Sequence, residues 1–134
     1  MLEVGTLDIE ADRIAAARRL CERYACTVLL KGAGTIAAAP DGRMTINTTG
    51  NTGLSTGGTG DVLSGVVGAF LAQRLSPFDA ALAAMYIHGK AAERLSASGS
   101  GPAGLTAGEL APAMRACLND LLARYGKIVT PGTV

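Results

Sequence analysis

The run Gly57-Gly58-Thr59-Gly60-Asp61-Val62-Leu63-Ser64-Gly65 constrains this 134-residue chain more than any other stretch. Glycines and a threonine stand directly before a carboxylate, and an apolar run at helical spacing follows. Such a junction closes a loop and opens a helix, and a helix start leaves backbone N–H groups without intrahelical partners. Glycine permits the backbone angles that turn successive amides toward one anion. The amides of Gly58, Thr59 and Gly60 are therefore candidate donors to an oxyanion or phosphate, with the helix dipole adding to their pull. Asp61 is the candidate general base beside them. The plainer alternative is a flexible turn followed by an N-terminal helix charge. It suits an isolated Asp better than this uninterrupted run.

The remaining pattern places the run in an α/β chain. Asp8 to about Ala25 reads as a helix, with Ile9, Ala16, Ala17, Leu20 and Tyr24 on the apolar side and Arg13, Arg18, Arg19, Glu22 and Arg23 on the wet side. Thr27–Leu30 is a short buried strand, left through Lys31-Gly32-Ala33-Gly34. Thr35–Ala39 and Met44–Thr48 are two further strands around the turn Pro40-Asp41-Gly42. Thr49–Thr59 is a Gly/Thr/Asn loop. The helix from Asp61 to about Gln73 contains Gly65 and Gly68, each costing roughly 1 kcal/mol against Ala unless a neighbour packs closely on them. Ser76-Pro77 caps a helix to about Leu95, with Phe78, Ala81, Leu82, Met85, His88, Ala92 and Leu95 on one face. Thr106-Ala107-Gly108-Glu109 is a capping box for a last helix to about Tyr125. Residues 126–134 read as a frayed tail. A helix, three strands and three helices leave long sheet edges, and this predicts one end of a larger layered sheet.

Charge and composition exclude several classes. A net charge of +1, with no Lys/Arg run, argues against nucleic acid or a membrane surface as partner. The N-terminus shows no basic, apolar targeting segment, and no stretch is long enough to span a bilayer. Cys21, Cys26 and Cys117 form no CxxC pair and read as small buried groups, so a reducing cytoplasm is expected. His88 is the single histidine, which excludes a multi-histidine metal site. On an apolar face it reads as a packed or capping group, and Tyr86 and Asp79 are likewise given packing roles.

Two standard phosphate motifs fail. No Gly-Lys-Ser/Thr triplet opens a helix. Gly32-Ala33-Gly34-Thr35-Ile36-Ala37 has the G-x-G-x-x-A form, but Pro40-Asp41-Gly42 follows too soon for a helix. Lys31 at the strand end is either a nucleotide contact or a solvated lysine on a surface turn.

Three segments together carry a resemblance: Lys31-Gly32-Ala33-Gly34-Thr35, Asn51 through Gly65, and Tyr86-Ile87-His88-Gly89. They resemble the nucleotide-dependent NAD(P)H-hydrate dehydratases of the ribokinase-like superfamily, in the same order and over about Asp8 to Leu122. The resemblance implies a three-layer α/β/α fold, of which residues 1–134 would be the C-terminal half, about three strands and four helices. It implies that ADP or ATP phosphorylates the C6 hydroxyl of hydrated NADH or NADPH, and that loss of phosphate restores the cofactor. Asp61 is then the base and the hydrate contact, and Gly58, Thr59 and Gly60 hold the transferred phosphoryl group. Lys31, Gly32, Ala33, Gly34 and Thr35 would line the nucleotide. So would Asn51, Thr52, Gly53, Leu54, Ser55, Thr56, Gly57, Gly58, Thr59 and Gly60. Mg²⁺ is expected to ride on the nucleotide phosphates, without dedicated protein ligands. The absent half implies a homo-oligomer or association with that half. Two rivals share the same residues: a ribokinase-like kinase for a sugar, pyridoxal or hydroxymethylpyrimidine, and an inactive fragment.

Overall fold

The computed structural model describes residues 11–125. The first helical turn expected from Asp8 and the tail expected at 126–134 lie outside the described residues. Helix α1 spans Arg13–Tyr24, capped by Asp12, whose carboxylate accepts the Ala15 amide at 2.9 Å. Strands β1 (Val28–Leu30), β2 (Ile36–Ala38) and β3 (Met44–Ile46) form one antiparallel meander in the order β1-β2-β3. The register pairs Leu29 with Ala37 and Ala37 with Thr45. A 3-10 turn, Thr52–Ser55, interrupts the loop that the sequence presents as irregular. Helices α2 (Thr59–Ala72), α3 (Pro77–Ala97) and α4 (Ala107–Tyr125) complete the described chain.

β2 is the middle strand and is buried on both faces, which is why it reads as a continuous apolar run. Its side chains alternate between two cores. Ile36 and Ala38 meet Ala17 and Cys21 of α1. Ala37 and Ala39 meet Phe78, Ala81 and Met85 of α3. The layers are thus helix, sheet, helix, with α2 and α4 packed on α3 in a third core around Leu63, Ile87, Leu105 and Leu110.

Local chemistry sets the helix ends. Ser76 accepts the Asp79 amide at 3.2 Å with Pro77 in the first turn. Glu109 reaches back to accept the Thr106 amide at 2.8 Å, as the capping box requires.

Several sequence expectations shift. α3 carries two apolar stripes where one was expected: Phe78, Ala81 and Met85 face the sheet, while Ala80, Ala84, Ile87 and Ala91 join the helical core. Alanines weigh little in an amphipathic pattern, so the second stripe was not evident. Tyr24, expected inside, is 48% exposed under the Arg23 guanidinium. Arg13, expected on the wet side, donates to Leu30 O and Lys31 O at 3.1 Å each. Tyr86 is also exposed, and Cys26 with it. Among the described residues no neighbour packs on Gly65 or Gly68: nothing lies within 4 Å of where a Cβ would stand at either.

Candidate active site

The site forms where the end of β1, the loop before α2 and the middle of α3 converge. α2 begins at Thr59, two residues before the expected start. Its N-cap is Gly58 with φ 85°, a left-handed conformation that a side chain would strain. This places Thr59 and Gly60 in the first turn. Among the described residues the amides of Gly58 and Gly60 donate no hydrogen bond, and that of Thr59 makes only a 3.4 Å contact to Thr56 O. The Asp61 amide is taken by Gly58 O at 3.1 Å.

Lys31 supplies a cation at that helix end. Its Nζ lies 3.5 Å from Thr59 Oγ1 and 3.1 Å from the position a Cβ on Gly60 would take. The Arg13 bonds to Leu30 O and Lys31 O hold the base of this lysine. The Thr59 hydroxyl is not aimed at a ligand. It lies 2.7 Å from Leu54 O and 2.9 Å from Thr56 O and braces the loop.

Behind the helix start, His88 is buried with its Nε2 2.9 Å from Thr59 O. A carbonyl only accepts, so Nε2 carries the proton. Burial lowers the imidazole pKa; the bond to Thr59 O draws it partly back, and the Lys31 charge lowers it further. The ring is held neutral, in the packing and capping role that its apolar surroundings suggest.

The loop before α2 is sewn to α3. Asn47 Nδ2 donates to Met85 O at 2.9 Å, and Thr49 Oγ1 to Tyr86 O at 3.2 Å. The Gly50 amide donates to Glu93 Oε1 at 2.9 Å. Asn51 Nδ2 reaches Ala92 O at 3.0 Å and Ser96 Oγ at 2.8 Å, while its Oδ1 accepts the Gly53 amide at 3.0 Å. Glu93 is kept ionised by Lys90 first and by the Gly50 amide second, both lowering its pKa. The loop crosses α3 at Gly89, where a Cβ would stand 2.6 Å from Thr49 C and 2.7 Å from Thr49 O.

These elements enclose a cleft of about 810 Å³. Lys31, Gly32, Ala33, Gly34 and Thr35 line it, as do Asn51, Thr52, Leu54, Ser55, Thr56, Gly57, Gly58, Thr59 and Gly60. Gly53 does not. It is buried behind the loop, where a Cβ would stand 3.0 Å from Pro102 O and 3.1 Å from Leu105 Cδ1. Asp61 does not line the cleft either; it is exposed, one residue past Gly60, on the outer side of the helix start. Asn47, Thr48, Thr49, Gly50, Leu63, Met85 and His88 also line the cleft and were not singled out as ligand contacts. For Asn47 and Thr49 the available signal was a polar run between a strand and a glycine loop.

A family model described as NAD(P)H-hydrate dehydratase matches residues 2–114. The chain belongs to the NAD(P)H-hydrate dehydratase family. It is 44% identical over 115 residues to the ADP-dependent (S)-NAD(P)H-hydrate dehydratase of Neisseria meningitidis, covering 86% of this chain and 39% of that protein. It is 44% identical over 119 residues to the bifunctional NAD(P)H-hydrate repair enzyme of Escherichia coli, covering 89% of this chain and 23% of that one. The ADP/ATP-dependent NAD(P)H-hydrate dehydratase of Bacillus subtilis, co-crystallised with ATP and Mg²⁺ and soaked with CoA, superposes with a TM-score of 0.83 at 32% identity. That likeness covers 90% of this chain and 44% of the Bacillus chain. The layered α/β fold is therefore that of the dehydratase family, and the chain spans less than half the length of these relatives.

Proposed function

We propose that this chain carries the nucleotide-binding and phosphoryl-transfer part of an ADP- or ATP-dependent NAD(P)H-hydrate dehydratase. The observation that carries the reading is the Lys31 ammonium over a helix start whose Gly58 and Gly60 amides have no acceptor among the described residues, at the edge of a cleft of about 810 Å³. Phosphoryl transfer proceeds through a loose transition state, so donors already in place supply most of the catalysis. The amides of Gly58, Thr59 and Gly60, with Lys31, hold the transferred phosphoryl group. The segments Lys31–Thr35, Asn51–Thr52 and Leu54–Gly60 hold the nucleotide, with Gly53 packed behind them. Asp61, on the outer side of the same turn, takes the proton of the C6 hydroxyl of NADHX or NADPHX as that oxygen attacks the terminal phosphorus, whose bond to the nucleotide breaks to release AMP from ADP or ADP from ATP. Loss of phosphate from the product restores the nicotinamide. Mg²⁺ neutralises charge on the nucleotide. Among the described residues no cluster of His, Cys, Asp or Glu could hold a metal ion, so the phosphates would carry it.

The hydrate itself needs more wall than these residues provide. We place the chain as the C-terminal half of the domain, completed by the other half or by a second copy, because among the described residues β1 and β3 are both sheet edges and Asp61, Gly65 and Gly68 of α2 are exposed. Three free cysteines suit a reducing cytoplasm.

Calorimetry with ADP and ATP should show binding that Lys31→Met weakens about tenfold, the scale of one charge-assisted bond. Regeneration of NADH from its hydrate with ADP and Mg²⁺, read by absorbance, separates a dehydratase from a kinase for another small molecule. Full turnover by Asp61→Asn would sink the assignment of the base.

A further inference from the structure

Thr59 O and the Gly60 N–H belong to one peptide unit. That unit is planar and trans, so its carbonyl and its N–H point in opposite directions. His88 Nε2 holds the carbonyl end at 2.9 Å from the buried side. Gly60 lines the cleft, its N–H donates to nothing among the described residues, and Lys31 Nζ stands 3.1 Å from where its Cβ would be.

We propose that His88 is a positioning residue for the phosphate-binding amides, acting through the Thr59–Gly60 peptide plane. The inference rests on the nucleotide reading above and deepens it. A donor on a carbonyl fixes the tilt of its peptide plane and draws electron density from the N–H at the other end, which strengthens that N–H as a donor. The arrangement needs a side chain that donates while adding no charge beside Lys31. A neutral imidazole protonated at Nε2 does this, and burial and the Lys31 charge keep it neutral. A lysine in the same place would add a second cation. Thr59 is 1% exposed and its hydroxyl is engaged with Leu54 O and Thr56 O, so the residue has little freedom to reorient once His88 is in place. His88 also sits next to Gly89, where the loop crosses α3, so one turn of α3 sets both the loop and the amides.

The test uses the ¹⁵N-labelled chain with ADP and adenosine as probes. Adenosine lacks phosphates and reports the rest of the cleft. Imidazole ¹⁵N shifts should show the Nε2–H tautomer, with the Gly58 and Gly60 amide signals moving on ADP titration. His88→Leu, which keeps the volume and removes the donor, should weaken ADP about tenfold and leave adenosine unchanged. His88→Gln, whose amide nitrogen can replace Nε2, should restore ADP to within about threefold. Equal loss of ADP and adenosine in His88→Leu would reduce His88 to a structural residue. Unchanged ADP binding, or an Nδ1–H tautomer, would overturn the proposal outright. Should His88→Leu fail to fold, His88→Asn takes its place, since its shorter amide stops short of Thr59 O. A wild-type chain that binds ADP no better than adenosine would instead remove the nucleotide reading beneath.

Discussion

The two sides of the α2 N-terminus are built differently. On the cleft side, the loop from Asn47 to Gly60 is tied to α3 through Met85 O, Tyr86 O, Ala92 O, Glu93 and Ser96. On the outer side, Asp61, Ser64, Gly65 and Gly68 are exposed, and a Cβ at either glycine would meet nothing within 4 Å among the described residues. On the function proposed above, the contrast separates the nucleotide side of the site from the acceptor side. The loop that leads to the proposed donors is fixed by long-range hydrogen bonds, as electrostatic preorganisation would require. The side from which an acceptor would approach the carboxylate is bare helix.

The largest effect should come from breaking the fixed side at its tightest point. In Gly89→Ala the new methyl meets backbone atoms of Thr49 at 2.6 and 2.7 Å, which cannot rotate away. We expect a loss of at least about 3 kcal/mol in urea unfolding and weaker ADP binding with it. Wild-type stability would mean that the loop slides over α3 and is not fixed to it. Asn51→Ala comes next. It removes the donors to Ala92 O and Ser96 and leaves the buried Gly53 amide without its acceptor. A cost of about 2 kcal/mol is expected by the same measurement, and a cost near zero would show that water takes over these bonds.

These two residues also mark how far the sequence could be read. The run Gly57–Asp61 was legible as a loop closing into a helix because its glycines, threonine and carboxylate are adjacent, and adjacency survives in one dimension. The strands and helices followed from periodicity and caps. The antiparallel meander was legible from the turn Pro40-Asp41-Gly42. The bracing of the loop was not, because Asn51 meets Ala92 and Ser96 across more than forty residues. The glycine at 89 carried no local signal either, since its reason is a backbone from another segment. Arg13 misled for the same cause: a charged residue on a helix is normally solvated, and only the packing of α1 on the sheet brings it to Lys31.

A change of pH separates His88 from the other braces. Its pKa is lowered in the fold, so below the ordinary imidazole value of 6.5 the unfolded chain binds a proton that the folded chain resists. Stability should therefore be flat above that pH and fall as pH drops below it. The sequence has one histidine, and among the described residues the shifted carboxylates Asp41, Glu93 and Glu109 start from 3.8, 4.5 and 4.5, so the decline between 6.5 and 4.5 belongs to His88. His88→Gln should remove that slope, as read from urea midpoints across the range. A slope that persists would place the titrating group elsewhere.

The smallest effect tests the bare side and has the opposite sign. Gly65 and Gly68 lie within α2, exposed, with open space where a Cβ would stand. Alanine at either position gains helix propensity and reduces the freedom of the unfolded chain, without a clash to offset the gain. Each substitution should stabilise the isolated chain by about 0.5–1 kcal/mol. The same substitutions should weaken whatever covers this face in a complete domain, because a methyl would then intrude on close backbone packing. Unfolding at two chain concentrations distinguishes the cases. A gain independent of concentration leaves the face bare in solution. A loss that grows with concentration shows that a second copy already packs on the glycines, and the two sides of the helix start would then differ only in where their partner comes from.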